Sequence, residues 1–155
     1  MSTLKRQRGV AMLELAICLS LLITLVFGIT EFGRAMFLYD TLAKSARDAA
    51  RFLAVRDPNS SGALSDAKCM AVYGNPSCTG NALASGLTTA MVSICYAADP
   101  SCAANYQSQG ASPVINLVGV TIGGANNPYT FTSVVPFVVP SFNFGAISVT
   151  MRQVL

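Results

Sequence analysis

The chain contains no histidine. That absence removes Ser-His-Asp and Cys-His nucleophile systems, histidine zinc sites and histidine proton shuttles. Charge is scarce as well: 11% of residues are Asp, Glu, Lys or Arg, against 52% hydrophobic. A chain so apolar is not disordered, and it is apolar even for a soluble domain. Walker, GxGxxG, CxxC and HExxH motifs are all missing. The glycine-rich GVTIGG at 119–124 sits among β-branched residues and lacks a following Lys, so it reads as a strand ending in a turn. Asp57, Asp66 and Asp99 lie in loop-like sequence without a partner motif, and Lys68 stands alone. Catalytic carboxylates need paired geometry. The chain therefore reads as a non-enzyme that calls for no cofactor and no metal.

Proline is absent before Pro58, and no charge falls between Glu14 and Glu31. A length of 155 residues suggests one domain plus an appendage. The appendage is the apolar run from Gly9 to Thr30, which covers about 33 Å as a helix, enough to cross a hydrocarbon core. The net charge of +3 comes entirely from Lys5, Arg6 and Arg8, because the remaining seven Lys and Arg are matched by seven Asp and Glu. A neutral body argues against a nucleic-acid surface. The basic cluster orients the helix, with its start in the cytoplasm and the rest of the chain on the far side.

The helical pattern continues past the apolar run. TEFGRAMFLYDTLAKSARDAARFLAV (30–55) has one Gly, and Leu38, Leu42, Ala46, Ala49, Ala50 and Leu53 recur at helical spacing. Glu31 with Arg34, Asp40 with Lys44, and Asp48 with Arg51 are spaced to pair on the exposed face. The stripe Lys44, Arg47, Arg51 reads as a solvated face. RDPNSSG (56–62) stops the helix. The pattern predicts a single helix over about 10–56, roughly 70 Å long, apolar first and amphipathic after.

Residues 57–112 hold four of the five cysteines, with weak helical signals over 63–73 and 82–96. Cys18 falls in the apolar run and reads as a small buried residue. In an oxidising compartment four cysteines suggest two disulfides. Sequence order favours Cys69 with Cys78 and Cys95 with Cys102, since both close short loops. The rivals are free thiols and a four-thiolate zinc site, the latter disfavoured because zinc ligands usually pair as C-x2–4-C. Residues 113–155 turn β-rich. VINLVGVTI (114–122), YTFTSVVPFVV (129–139) and AISVTMRQV (146–154) predict an antiparallel meander of about three strands, the last alternating Ile147, Val149, Met151 against Ser148, Thr150, Arg152. Pro136 and Pro140 favour an edge or a bulge for the middle strand. The fold class is α+β, a helix spine with a small sheet, in four regions: 1–9, 10–56, 57–112 and 113–155.

One residue conflicts with a plain membrane span. Glu14 stands inside the apolar run, where a carboxylate costs on the order of 3 kcal/mol at the bilayer centre. A secretory signal does not explain it, since the core is too long and ends in FGITEFGR rather than in small residues. A plain signal anchor ahead of a periplasmic binding or sensing domain fits the length and the flank and leaves Glu14 unexplained. The stretch RGVAMLE (8–14), a basic leader, Gly, four apolar residues and Glu, resembles the processing site of type IV pilins and pseudopilins. That resemblance implies cleavage after Gly9 by a prepilin peptidase, a mature chain starting at Val10, and a carboxylate at Glu14 that pairs with the free amine of a neighbouring subunit and sets axial register.

The wider segment is similar to the TadE-like family of the Tad pilus system. It carries GITEFGR at 28–34 and SARDAAR at 45–51, and TFTSVVPFVVP with ISVTMRQ resembles the family's closing strands. The major pilins of that system usually carry Tyr after the Glu, whereas Leu15 stands here in a longer chain. The resemblance implies a minor pilin or pseudopilin, single-pass in the inner membrane, with its N-terminus cytoplasmic, its C-terminal domain periplasmic, and incorporation into an extracellular pilus open to it. The implied partners are other pilin subunits, inner-membrane pilus assembly proteins and the prepilin peptidase. The implied role is pilus assembly or initiation, in support of adherence and biofilm formation.

Overall fold

A computed structural model describes residues 3–102, 106 and 115–154, with side chains from Gly9 onward. Helix α1 runs Thr3–Ala54 and α2 Ala63–Tyr73. Strands β1 (Val92–Tyr96), β2 (Leu117–Ile122), β3 (Thr130–Phe131), β4 (Phe142–Asn143) and β5 (Ile147–Arg152) follow. They form a three-stranded antiparallel sheet in the order β1-β2-β5 and a two-stranded pair β3-β4. The α+β class holds. The chain divides into two compact units. One is α1 up to Met36 with Thr132–Ser141, and the other is Phe37–Phe131 with the residues from Phe142 onward.

Helix α1 is longer at its start than the sequence pattern suggests, since it takes in Thr3 to Arg8 instead of beginning near residue 10. It ends at Ala54, where the Arg56 N–H reaches back to the Leu53 carbonyl. Asp57 then closes a turn, its Oδ1 accepting the Asn59 N–H at 2.9 Å, and Pro58 cannot extend the helical ladder. Gly74 ends α2 in the left-handed region, with φ 73°, and its N–H caps the Met70 carbonyl.

In the second unit, the amphipathic half of α1 buries the face read from its spacing. Leu42, Ala46, Ala49, Ala50 and Leu53 are all fully buried, and Leu38 packs at their edge. They share one core with Ala63, Ala67, Ala71 and Val72 of α2 and with the inner face of the sheet. That face consists of three cross-strand rows: Val92–Ile122–Ile147, Ile94–Val120–Val149 and Tyr96–Val118–Met151. The opposite face carries Ser93, Thr121 and Ser148 side by side, with the Thr121 hydroxyl donating to Ser148 Oγ at 3.0 Å. Period-two alternation thus puts the apolar set against the helices and the hydroxyls outside. A small-residue helix face brings the sheet close without deep knobs.

Two expectations for the strands are corrected. The weak helical signal over 82–96 gives only a 3-10 turn at Thr89–Met91, and Val92–Tyr96 becomes a strand of the sheet. The segment 129–139 is not the middle strand; only Thr130 and Phe131 pair, with Asn143 and Phe142. The chain is off the pair from Thr132 onward, and Pro136 and Pro140, which have no N–H to donate, keep 132–141 from joining a ladder. Rings reinforce the short pair: Phe131 lies 5.2 Å from Phe142, and Tyr129 stacks on Phe144 at 6.1 Å.

Disulfides join Cys69 to Cys78 and Cys95 to Cys102. The first pins the end of α2 to the loop after it, and the second pins β1 to its own following turn. Cys18 has no partner cysteine and is exposed on α1, not buried, because no other segment of the chain covers that stretch. Of the expected ion pairs, Asp40 and Lys44 meet at 2.7 Å on the exposed face. The hydrogen bond from Lys44 holds the Asp40 carboxyl below its usual range. Among the described residues no ion pair joins Asp48 to Arg51.

Two outcomes follow for the core. Leu53→Ala should destabilise the folded chain by about 2–5 kcal/mol in a denaturant titration, since Leu53 is fully enclosed. Tyr129 is buried and donates to the Ser85 carbonyl at 2.6 Å, and burial raises its pKa above 10.0. The folded chain therefore keeps the phenol proton where the unfolded chain releases it. Its contribution is complete below the ordinary tyrosine value and is lost as pH rises through the higher folded value. Denaturation midpoints should fall across that alkaline window, and Tyr129→Phe should flatten the fall.

Candidate functional site

The first unit is built on the apolar half of α1. From Val10 to Ile29 its large side chains are exposed on every face of the helix: Val10, Met12, Leu13, Leu15, Ile17, Leu19, Leu21, Leu22 and onward. The helix is long and apolar enough to cross a membrane once, and its most apolar window is wholly uncovered by the rest of the chain. Ser20 and Thr24 donate their hydroxyls to the carbonyls of Ile17 and Leu21, at 2.8 and 2.9 Å. Those polar atoms are thus satisfied within the helix and cost little in an apolar medium.

Gly9, Val10 and Glu14 all lie within α1 and all are exposed. A side chain placed at Gly9 would meet nothing within 4 Å. Glu14 sits four residues after Val10, about 6 Å along the axis. Among the described residues no ion pair reaches its carboxylate, and the helix surface around it is apolar. The stripe Ser20, Thr24, Gly28 is spaced as for a close helix contact, but its last member is already taken. Val138 packs there, 3.7 Å from where a Gly28 Cβ would lie.

Val138 belongs to the segment that leaves the sheet, TSVVPFVVPS at 132–141. Glu31 and Arg34 fasten this segment to α1. Arg34 Nη1 donates to Glu31 Oε1 at 3.0 Å, and its Nη2 donates to the Thr132 carbonyl at 3.0 Å. Glu31 Oε2 accepts the Val134 N–H at 3.4 Å. Ser141 Oγ accepts the Ser133 N–H at 3.1 Å and closes the base of the loop. Glu31 is only 4% exposed. The expected surface pair is thus half-covered: Glu31 is buried and Arg34 stays exposed, and both bind backbone of this segment. Sequence reading missed this role. The spacing of Glu31 and Arg34 announces the pair, but nothing local announces the segment that covers Glu31.

Elsewhere the polar groups have local duties. Asp99 accepts the backbone N–H and hydroxyl of Ser101 at 2.9 and 2.7 Å, and these bonds lower its pKa. It lies beside Cys95 and Cys102, whose sulfurs are joined to each other and so supply no thiolate. Lys44, Arg47, Asp48 and Arg51 line a shallow depression with Met151.

Removing the Glu31 carboxylate should free the loop. In hydrogen exchange by mass spectrometry, Glu31→Ala should raise exchange over 132–141 and leave that of β2 unchanged. Arg34→Lys should do so more weakly, because one amine cannot reproduce the two-pronged contact.

Residues 9–51 match the family described as TadE-like protein. No curated protein and no solved structure matches the chain. The match spans the candidate site on α1, from Gly9 through Glu14 and GITEFGR to within three residues of the helix end. Over residues 9–51 the chain is similar to the TadE-like family.

Proposed function

We propose that this chain is a minor pilin or pseudopilin of a Tad-type pilus. It is held in the inner membrane by α1, cleaved after Gly9 by a prepilin peptidase, and takes part in pilus assembly or initiation. In that way it supports adherence and biofilm formation. The observation that carries the reading is Glu14: a lone carboxylate on an otherwise apolar helix surface, at the fifth position after Gly9, within a TadE-like segment.

Cleavage after Gly9 leaves an α-amine on Val10. In lipid, the amine and the carboxylate of one chain are both costly. Between adjacent subunits, the amine of one chain meets the Glu14 carboxylate of the next, and each offsets the other's desolvation. A subunit out of register leaves both charges unmet, so the pair selects one axial offset. The lipid that covers the apolar residues of a free subunit gives way to neighbouring helices of the same character.

Gly9 has a second part in this scheme. The bond to be cut lies within the helical stretch that starts at Thr3. A helical peptide bond is tied into the hydrogen-bond ladder and must open to be cleaved. Gly is about 0.5–1 kcal/mol worse than Ala in a helix interior, so it lowers the cost of opening at that point. The lack of a side chain also leaves the carbonyl accessible.

The test is the intact mass and N-terminal peptide of protein purified from membranes with and without a prepilin peptidase. The expected product starts at Val10 only where the peptidase is present. Retention of residues 1–9 in both strains would leave a signal-anchored periplasmic binding or sensing domain instead. Glu14→Leu should stay in the membrane and be cleaved, yet fail to co-purify with the other pilus subunits. Undiminished assembly by that variant would remove the register role.

A further inference from the structure

The loop at 134–139 has no part in processing or in subunit register. Its side chains are VVPFVV, and the chain has no charged residue between Asp99 and Arg152. Val134 is 73% exposed and Phe137 80% exposed, while Val135, Val138 and Val139 turn partly inward. A soluble loop rarely ends in its largest apolar side chain. This one is also fixed in place. Glu31 and Arg34 hold its first half, Ser141 closes its base, and Val138 rests on Gly28.

Two further observations say what covers it. The first is depth. Gly28 lies about 28 Å along the helix from Gly9, close to the thickness of a hydrocarbon core of roughly 30 Å. If the core begins after the last leader cation, Arg8, its far edge falls where Val138 meets α1. The second is the backbone. The Val134 N–H is taken by Glu31, and the Val135 N–H by Ser133 Oγ at 3.1 Å. Pro136 has no N–H to satisfy. Val138 and Val139 both donate to the Val135 carbonyl, at 3.0 and 3.1 Å. The Phe137 N–H alone in this stretch has no partner among the described residues, so the loop suits the hydrated headgroup level, where one donor still meets water, and not the dry core.

We infer that this loop is a second membrane contact, which sets Val134 and Phe137 into the outer interface of the bilayer that α1 crosses. The inference rests on α1 being a membrane span, as in the proposed function. Under it, the buried Glu31 and the exposed Arg34 form the polar joint of an apolar wedge, with the guanidinium left at the hydrated level. The Glu31 carboxylate is shielded from the interface by the segment that it holds. The surface favoured is lipid and not a neighbouring subunit, because the loop continues the apolar surface of α1 at the same level.

The chain has no tryptophan, so one introduced indole is an unambiguous reporter. Phe137→Trp and, separately, Ile17→Trp are placed in the full chain and reconstituted in phosphatidylethanolamine–phosphatidylglycerol vesicles. The vesicles are doped with phosphatidylcholine brominated near the headgroup or near the chain ends. The reporter at 137 should emit to the blue of an indole in water, resist aqueous acrylamide, and lose more emission to the shallow bromines than to the deep ones. The reporter at 17 should be quenched more by the deep ones. If the reporter at 17 is quenched by lipid and that at 137 only by acrylamide, the loop inference is overturned and the span stands. If neither responds to brominated lipid, the span itself is wrong and the inference falls with it. A reporter at 137 that is blue-shifted and shielded, yet silent to both lipids, overturns the lipid contact in favour of a protein one.

Discussion

Everything in this protein depends on one constraint: helix α1 exposes an apolar surface, from Val10 to Ile29, that the rest of the chain does not cover. The cost of leaving such a surface in water grows with its area, at about 25 cal/mol per Å². The surface therefore belongs in lipid or against other helices of the same kind. The two media differ in how they treat Glu14. Lipid penalises it, and a neighbouring helix with a matching amine neutralises it. A single carboxylate thus turns a non-specific apolar rod into one with a preferred offset.

The same chain manages charge by a second device at the other end of the run. Where the apolar stretch stops, Glu31 and Arg34 neutralise each other and bind the backbone at Thr132 and Val134. Burying one partner of such a pair is tolerable because the pair also hydrogen-bonds backbone groups. The pair works as a fastening. Further along, where α1 enters the core, charge is left on the surface, as with Asp40 and Lys44, and contributes little.

The helix was legible in the sequence because its signals are long and mutually consistent: no proline, a basic flank, then Leu42, Ala46, Ala49, Ala50 and Leu53 at helical spacing. The alternation of β5 was legible too, since a period of two over six residues has few other readings. The first strand was not. Val92, Ile94 and Tyr96 alternate with Ser93 and Cys95, but the Ala- and Thr-containing approach to them masks the period. The segment 129–139 misled in the opposite direction, because β-branched residues fit a strand while Pro136 and Pro140 deny it a ladder. Propensity describes single residues, whereas a strand needs a continuous row of donors. The covered state of Glu31 was not legible at all. It depends on a segment about a hundred residues away in the chain, and no local pattern around Glu31 announces that segment's return.

Neither disulfide includes a residue of α1. Each closes a short local loop, so no covalent strap ties the helix to the sheet. A pull along α1 is therefore borne by packing: the small-residue seam of Ala46, Ala49 and Ala50, and the clamp at the helix end, where Val154 donates to the Ala54 carbonyl and Gln153 to that of Arg56. Interdigitated alanines resist separation but offer little against sliding. Within the second unit α1 is thus gripped on one face by non-covalent contact alone, and the sulfur bridges stiffen the gripping segments without sharing that load.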